Sequence, residues 1–189
     1  MCSSDLLIDS KADLEAGRQR ALFLAILEGH PECVRLLVDA KANLETKYTA
    51  GFSPLMLAAQ DGYTEILKLL IAAKARIEAK EEQGGTALMV ATFCGQGDCA
   101  QLLLDAKANV NAKNNYNRTA VHEAVLQGHI DCVKLMLEAK ADMNIKTKEG
   151  LTPLMTAARE KKLAFLQLLI EAKADLNVQS ELGYTALMI

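Results

Sequence analysis

Five cysteines and three histidines are the side chains best suited to nucleophilic or metal chemistry in this chain of 189 residues, so their spacing is the first thing to read. Cys33, Cys99 and Cys132 stand at multiples of one interval, each inside a stretch that reads as a helix, where a free thiol behaves as a small buried hydrophobe. Cys94 and Cys99 have no His or carboxylate companion at zinc-site spacing, and Cys2 stands alone, so neither a metal centre nor a disulfide framework follows. A Cys94/His122 nucleophile and base pair lacks a third group to orient it, and His30 and His129 fall in other segments. Gly84-Gly85 and Gly95-Gln96-Gly97 are turn glycines without the preceding strand that a phosphate cradle requires. The sequence thus predicts no catalytic residue, no metal, no cofactor and no enzyme.

Composition narrows the partners. Lys plus Arg number 21 against 24 Asp plus Glu, a net charge of −3, which is no footprint for nucleic acid. No apolar run reaches the roughly 18 residues of a membrane span. Met1-Cys2-Ser3-Ser4-Asp5 puts no basic residue ahead of Leu6-Leu7-Ile8, unlike a secretory signal, and the expected address is the cytoplasm or the nucleus. Aromatic residues make up 4% of the chain and Trp is absent, too little for an ordinary core but enough for stacked helices packed with Ala and Leu.

What must position any functional residue is a repeat. Ala-Lys-Ala recurs about Lys41, Lys74, Lys107, Lys140 and Lys173, five times at intervals of 33 residues, and a fixed period of this size marks units that bury their apolar faces only by stacking. In the same register stand Ser53-Pro54-Leu55-Met56, Thr86-Ala87-Leu88-Met89, Thr119-Ala120-Val121-His122, Thr152-Pro153-Leu154-Met155 and Thr185-Ala186-Leu187-Met188. Each reads as a helix start, with a hydroxyl to cap the first turn and Pro where no donor is lost. Ala58, Ala91, Ala124 and Ala157 allow close helix approach; Gly62, Gly95 and Gly128 break the pattern; second helices are predicted at Glu65–Ile71, Asp98–Leu104, Asp131–Leu137 and Leu163–Ile170. Polar segments such as Glu82-Gln83-Gly84-Gly85 and Asn114-Asn115-Tyr116-Asn117 read as projecting turns.

This combination of period, Thr-Pro-Leu helix start, glycine break and Leu-rich second helix resembles the ankyrin repeat family. The resemblance divides a single domain, residues 1–189, into a partial unit at 1–14, a variant unit at 15–47 opening on Arg20-Ala21-Leu22-Phe23, full units at 48–80, 81–113, 114–146 and 147–179, and a partial unit at 180–189. It implies an all-α solenoid of helix pairs with projecting β-turn fingers, non-enzymatic, that grips a protein or peptide on its concave face. Carried onto this chain, the contact residues are Phe52, Phe93, Tyr116, Arg118, Leu126, Leu151, Arg159 and Tyr184, with packing between adjacent turns as the alternative for Phe52, Leu151 and Tyr184. Asn111, Asn144 and Asn177 occupy the turn position at which members of the family are hydroxylated, Asn177 fitting best; the plainer reading is an Asn that bonds its own turn. A structural spacer in a longer array is the alternative function.

Two departures from the family pattern stand out. Lys replaces the usual Gly after each second helix, where a left-handed residue is expected, and reads either as a solvated cap or as a row of charges for an acidic partner. The signature His appears once, as His122, with Met56, Met89, Met155 and Met188 elsewhere, which reads as packing or as an adaptable binding stripe. Both termini fall inside units, so the chain reads as a window on a longer array and as a monomer unless its C-terminal end pairs.

Overall fold

The computed structural model describes the backbone of residues 3–189 and the side chains of residues 15–189. Among them lie ten α-helices and no strand: α1 (Ser3–Leu27), α2 (Pro31–Asp39), α3 (Pro54–Gln60), α4 (Thr64–Ala72), α5 (Ala87–Phe93), α6 (Gly97–Asp105), α7 (Ala120–Gln127), α8 (Ile130–Glu138), α9 (Pro153–Arg159) and α10 (Leu163–Glu171). The odd-numbered helices stack as one layer, α1 to α9, and α2, α4, α6 and α8 stack as a second beside it. The core between the layers repeats with the period: Leu55, Ala58, Leu88, Ala91, Val121, Ala124, Leu154 and Ala157 come from the first helices, and Leu67, Leu70, Leu103, Val133, Met136 and Leu169 from the second.

The starts of α3, α7 and α9 follow the capping chemistry expected of their Ser or Thr, and that of α5 does not. Ser53 Oγ accepts from Met56 N–H and Thr152 Oγ1 from Met155 N–H, each at 3.3 Å, and Thr119 Oγ1 faces His122 Nδ1 at 3.0 Å. Thr86 Oγ1 is buried with no partner among the described residues. Replacing a capping hydroxyl costs about 1 kcal/mol, whereas removing a buried unpaired one relieves its desolvation. Thr152→Val is therefore expected to lower the urea unfolding midpoint and Thr86→Val to leave it unchanged or raise it; equal losses in the two variants would refute the distinction.

Between the helices of a pair, Gly29, Gly62, Gly95 and Gly128 adopt positive φ, and the next unit uses the space they leave. A Cβ on Gly62 would meet Gln96 Oε1 at 2.5 Å, and one on Gly95 would meet the His129 ring at 2.6 Å. The crowding side chains form a ladder, each donating to the end of the preceding unit's first helix 36 residues earlier: Tyr63 to Leu27 O, Gln96 to Gln60 O, His129 to Phe93 O and Lys162 to Leu126 O.

The fingers are tied to one another as well. Glu82 N–H donates to Ala50 O, Asn115 N–H to Gln83 O and Lys148 N–H to Tyr116 O at 2.7–3.1 Å. Within the three fingers ahead of α5, α7 and α9 the first side chain holds the loop. Glu81 accepts from Gln83 and Gly85 N–H, Asn114 Oδ1 from Tyr116 and Arg118 N–H, and Thr147 Oγ1 from Glu149 and Leu151 N–H.

Lys41, Lys74, Lys107, Lys140 and Lys173 all lie at positive φ, as their register requires, and Lys161 does the same where the other units break with Gly. Met56, Met89 and Met155 are buried, Met89 also lining the groove described below, while Met188 is exposed. Three expectations need correction. Arg20-Ala21-Leu22-Phe23 does not open a helix: α1 runs unbroken through it and through the stretch read as a helix tail and turn, because neither a capping Ser or Thr nor a positive-φ glycine interrupts residues 11–27. The first two residues and the side chains of the partial unit at 1–14 lie outside those described. Cys33 is exposed, unlike Cys99 and Cys132, since the helix ahead of α2 is α1 and no second-layer helix covers that position. Thr185-Ala186-Leu187-Met188 forms a turn.

Candidate functional site

The first-layer helices α3, α5 and α7 and the fingers before them enclose a groove of about 460 Å³. Phe52, Phe93, Tyr116 and Arg118 all line it. Phe93 ends α5 and Tyr116 tips its finger, both about half exposed, whereas Phe52 is partly buried against the core. The Arg118 guanidinium lies 5.6 Å from the centre of the Tyr116 ring, within range of a cation–π contact.

The other sequence-predicted contact residues fall outside this groove. Leu151 is 7% exposed, and its carbonyl faces His122 Nε2 at 3.2 Å, so its side chain is packed, the alternative its register allowed. Leu126 is half-buried and its carbonyl receives Lys162 Nζ. Arg159 is exposed one unit further on, with its guanidinium held by Glu149 at 2.7 Å and Glu160 at 3.3 Å. Tyr184 is exposed in the last finger.

Asn111 and Asn144 do not bond their own turns. Each Oδ1 accepts the backbone N–H of the next unit, from Asp142 at 2.9 Å and Asp175 at 3.1 Å, continuing a series that Glu45 and Glu78 begin with Arg76 and Asn109. The local turns are capped instead by Asn43, Asn109, Asp142 and Asp175, the last of which accepts from Asn177 N–H.

Glu123 is a groove residue that was not anticipated from sequence. It is 6% exposed and lines the groove from α7, and its carboxylate accepts from Asn114 Nδ2 at 3.2 Å. Burial pushes its pKa up, partly countered by the Arg118 charge and the Asn114 bond. Aligned on the period, its counterparts are Leu57, Val90 and Thr156, so a charge at a core position was the signal available. Cys94 also lines the groove, where burial and the charge of Asp61 raise its pKa and keep it a thiol. Among the described residues no group of His, Cys, Asp and Glu could hold a metal ion, and no helix is long and apolar enough to cross a membrane.

Stacked helix pairs, linked unit to unit by side-chain ladders and presenting tied fingers beside an aromatic groove, define a helical repeat solenoid. Models of ankyrin repeats match residues 3–81, 22–114 and 55–147 as three-copy arrays and residues 136–189 as a many-copy array. The chain belongs to the ankyrin repeat family, whose members generally mediate protein–protein interaction. Comparison with curated proteins gives no significant match.

Proposed function

We propose that this chain is a non-enzymatic scaffold that binds a protein or an extended peptide on its concave face, along the fingers and first-layer helices. The observation that carries this reading is the groove itself, about 460 Å³, with Phe93 and Tyr116 half exposed on a frame whose fingers are tied by backbone hydrogen bonds. Aromatic residues and Arg concentrate binding energy. A frame already ordered before association spends little conformational entropy on binding.

The test replaces Phe93, Tyr116 and Arg118 with Ala and compares capture of partners from lysate with the parent, after circular dichroism has shown equal helicity. Loss of a captured protein, with affinity reduced about 30-fold or more on a purified pair, is the expected result. Undiminished capture by the triple variant would remove the groove from the function and leave a spacer.

A further inference from the structure

Glu123 is the residue that the fold does not account for. Its counterparts in the flanking units are apolar or a hydroxyl, and a carboxylate at a core position is disfavoured unless it is paired. Yet among the described residues no cation lies within 4.0 Å of it, and Asn114 supplies its single hydrogen bond, which leaves most of its acceptor capacity unused. Arg118 is occupied over the Tyr116 ring and reaches Glu123 only through its field. The other groove carboxylate, Glu81, already accepts from the N–H groups of Gln83 and Gly85.

Two carboxylates, Glu81 and Glu123, against one guanidinium, Arg118, give the lining one net negative charge. The walls are aromatic, with Phe52, Phe93 and Tyr116 around the opening. A neutral or acidic occupant would seal Glu123 away from water without a counter-charge. An occupant with an aliphatic stem and a cationic head would cover the rings with the one and neutralise the carboxylate with the other. We infer that the groove receives a Lys or Arg side chain of an extended peptide segment, with Glu123 as its counter-charge and Phe93 and Tyr116 along its stem. This rests on the protein-binding reading above and specifies what its partner must carry.

A phage-displayed library of random peptides is the probe, selected on the parent chain and counter-selected on a Phe93→Ala/Tyr116→Ala variant so that only groove-directed sequences survive. Enriched peptides are expected to share one Lys or Arg. In fluorescence polarisation with a synthetic copy, norleucine at that position and Glu123→Gln in the protein should each weaken binding about 30-fold, and together little more than either alone. Gln preserves the bond from Asn114 and removes a buried charge, so this variant is expected to fold at least as stably as the parent at neutral pH. The norleucine peptide makes the same test on the unaltered protein. Groove-directed peptides without a shared basic residue, or with equal affinity for Glu123→Gln, would overturn this inference and leave the protein-binding reading intact. A selection that enriches no groove-directed peptide would likewise overturn this inference, while the lysate capture described above decides the protein-binding reading separately.

Discussion

Replacing His122 with Met is expected to abolish a loss of stability that the parent suffers between about pH 6.5 and pH 4. His122 is wholly buried, with Nδ1 accepting from Thr119 N–H at 3.2 Å and Nε2 placed to donate to Leu151 O at 3.2 Å. Burial is the main reason its pKa falls to about 4, and the carbonyl bonds that favour the protonated ring offset only part of this. Because the folded-state pKa lies below the unfolded value, the unfolded chain takes up the proton first as the pH drops. The contribution is complete above pH 6.5 and declines through the window, by roughly 3 kcal/mol at pH 4. Met suits the site sterically, since Met56, Met89 and Met155 fill the equivalent positions and are buried. It cannot donate to Leu151 O, which costs about 1 kcal/mol at neutral pH. Urea unfolding midpoints measured across this range should therefore cross, the parent being more stable at pH 7 and the variant near pH 4. Parallel curves would mean that His122 does not titrate with unfolding.

The parts of the fold that were legible in the sequence are those that recur. Second helices expected at Glu65–Ile71, Asp98–Leu104 and Asp131–Leu137 are each longer by one residue at either end, because Gly breaks and Lys caps bound them in every unit. Helix α1 escaped the reading where those signals are absent: without a break, a run rich in Ala and Leu continues on its own propensity. The groove was half legible. Phe52, Phe93, Tyr116 and Arg118 converge because the period places fingers and first-layer helices on one face. Whether a large residue at a finger is covered depends on its neighbours, so Leu151 and Tyr184 looked alike and are not. The inter-unit ladder was invisible to any search by residue type, because Tyr63, Gln96, His129 and Lys162 share only a donor at a common register position. Glu123 could have been found by aligning the units and asking which core position holds a charge.

Exchanging all five of Lys41, Lys74, Lys107, Lys140 and Lys173 for Gly should stabilise the chain by about 3 kcal/mol, the net of three effects. These lysines hold φ between 57° and 68°, where a Cβ is strained at roughly 1–2 kcal/mol per residue and Gly is not. Against that gain stand the loss of a cation near the helix C-terminus, typically about 0.3–1 kcal/mol, and the greater entropy of an unfolded chain richer in Gly. All five side chains are exposed, and among the described residues none is held in an ion pair, so little else is surrendered. The sites lie in successive units without shared partners, and their effects should add. Lys68 on α4 is the control, exposed and inside a regular helix, where Gly should cost about 1 kcal/mol. Denaturant midpoints that rise stepwise with each exchange, while Lys68→Gly falls, would show that each unit retains a strained cap despite its cost. A uniform fall would mean that the charge at the helix end outweighs the strain, and would return attention to the row of ammonium groups as a surface for an acidic partner.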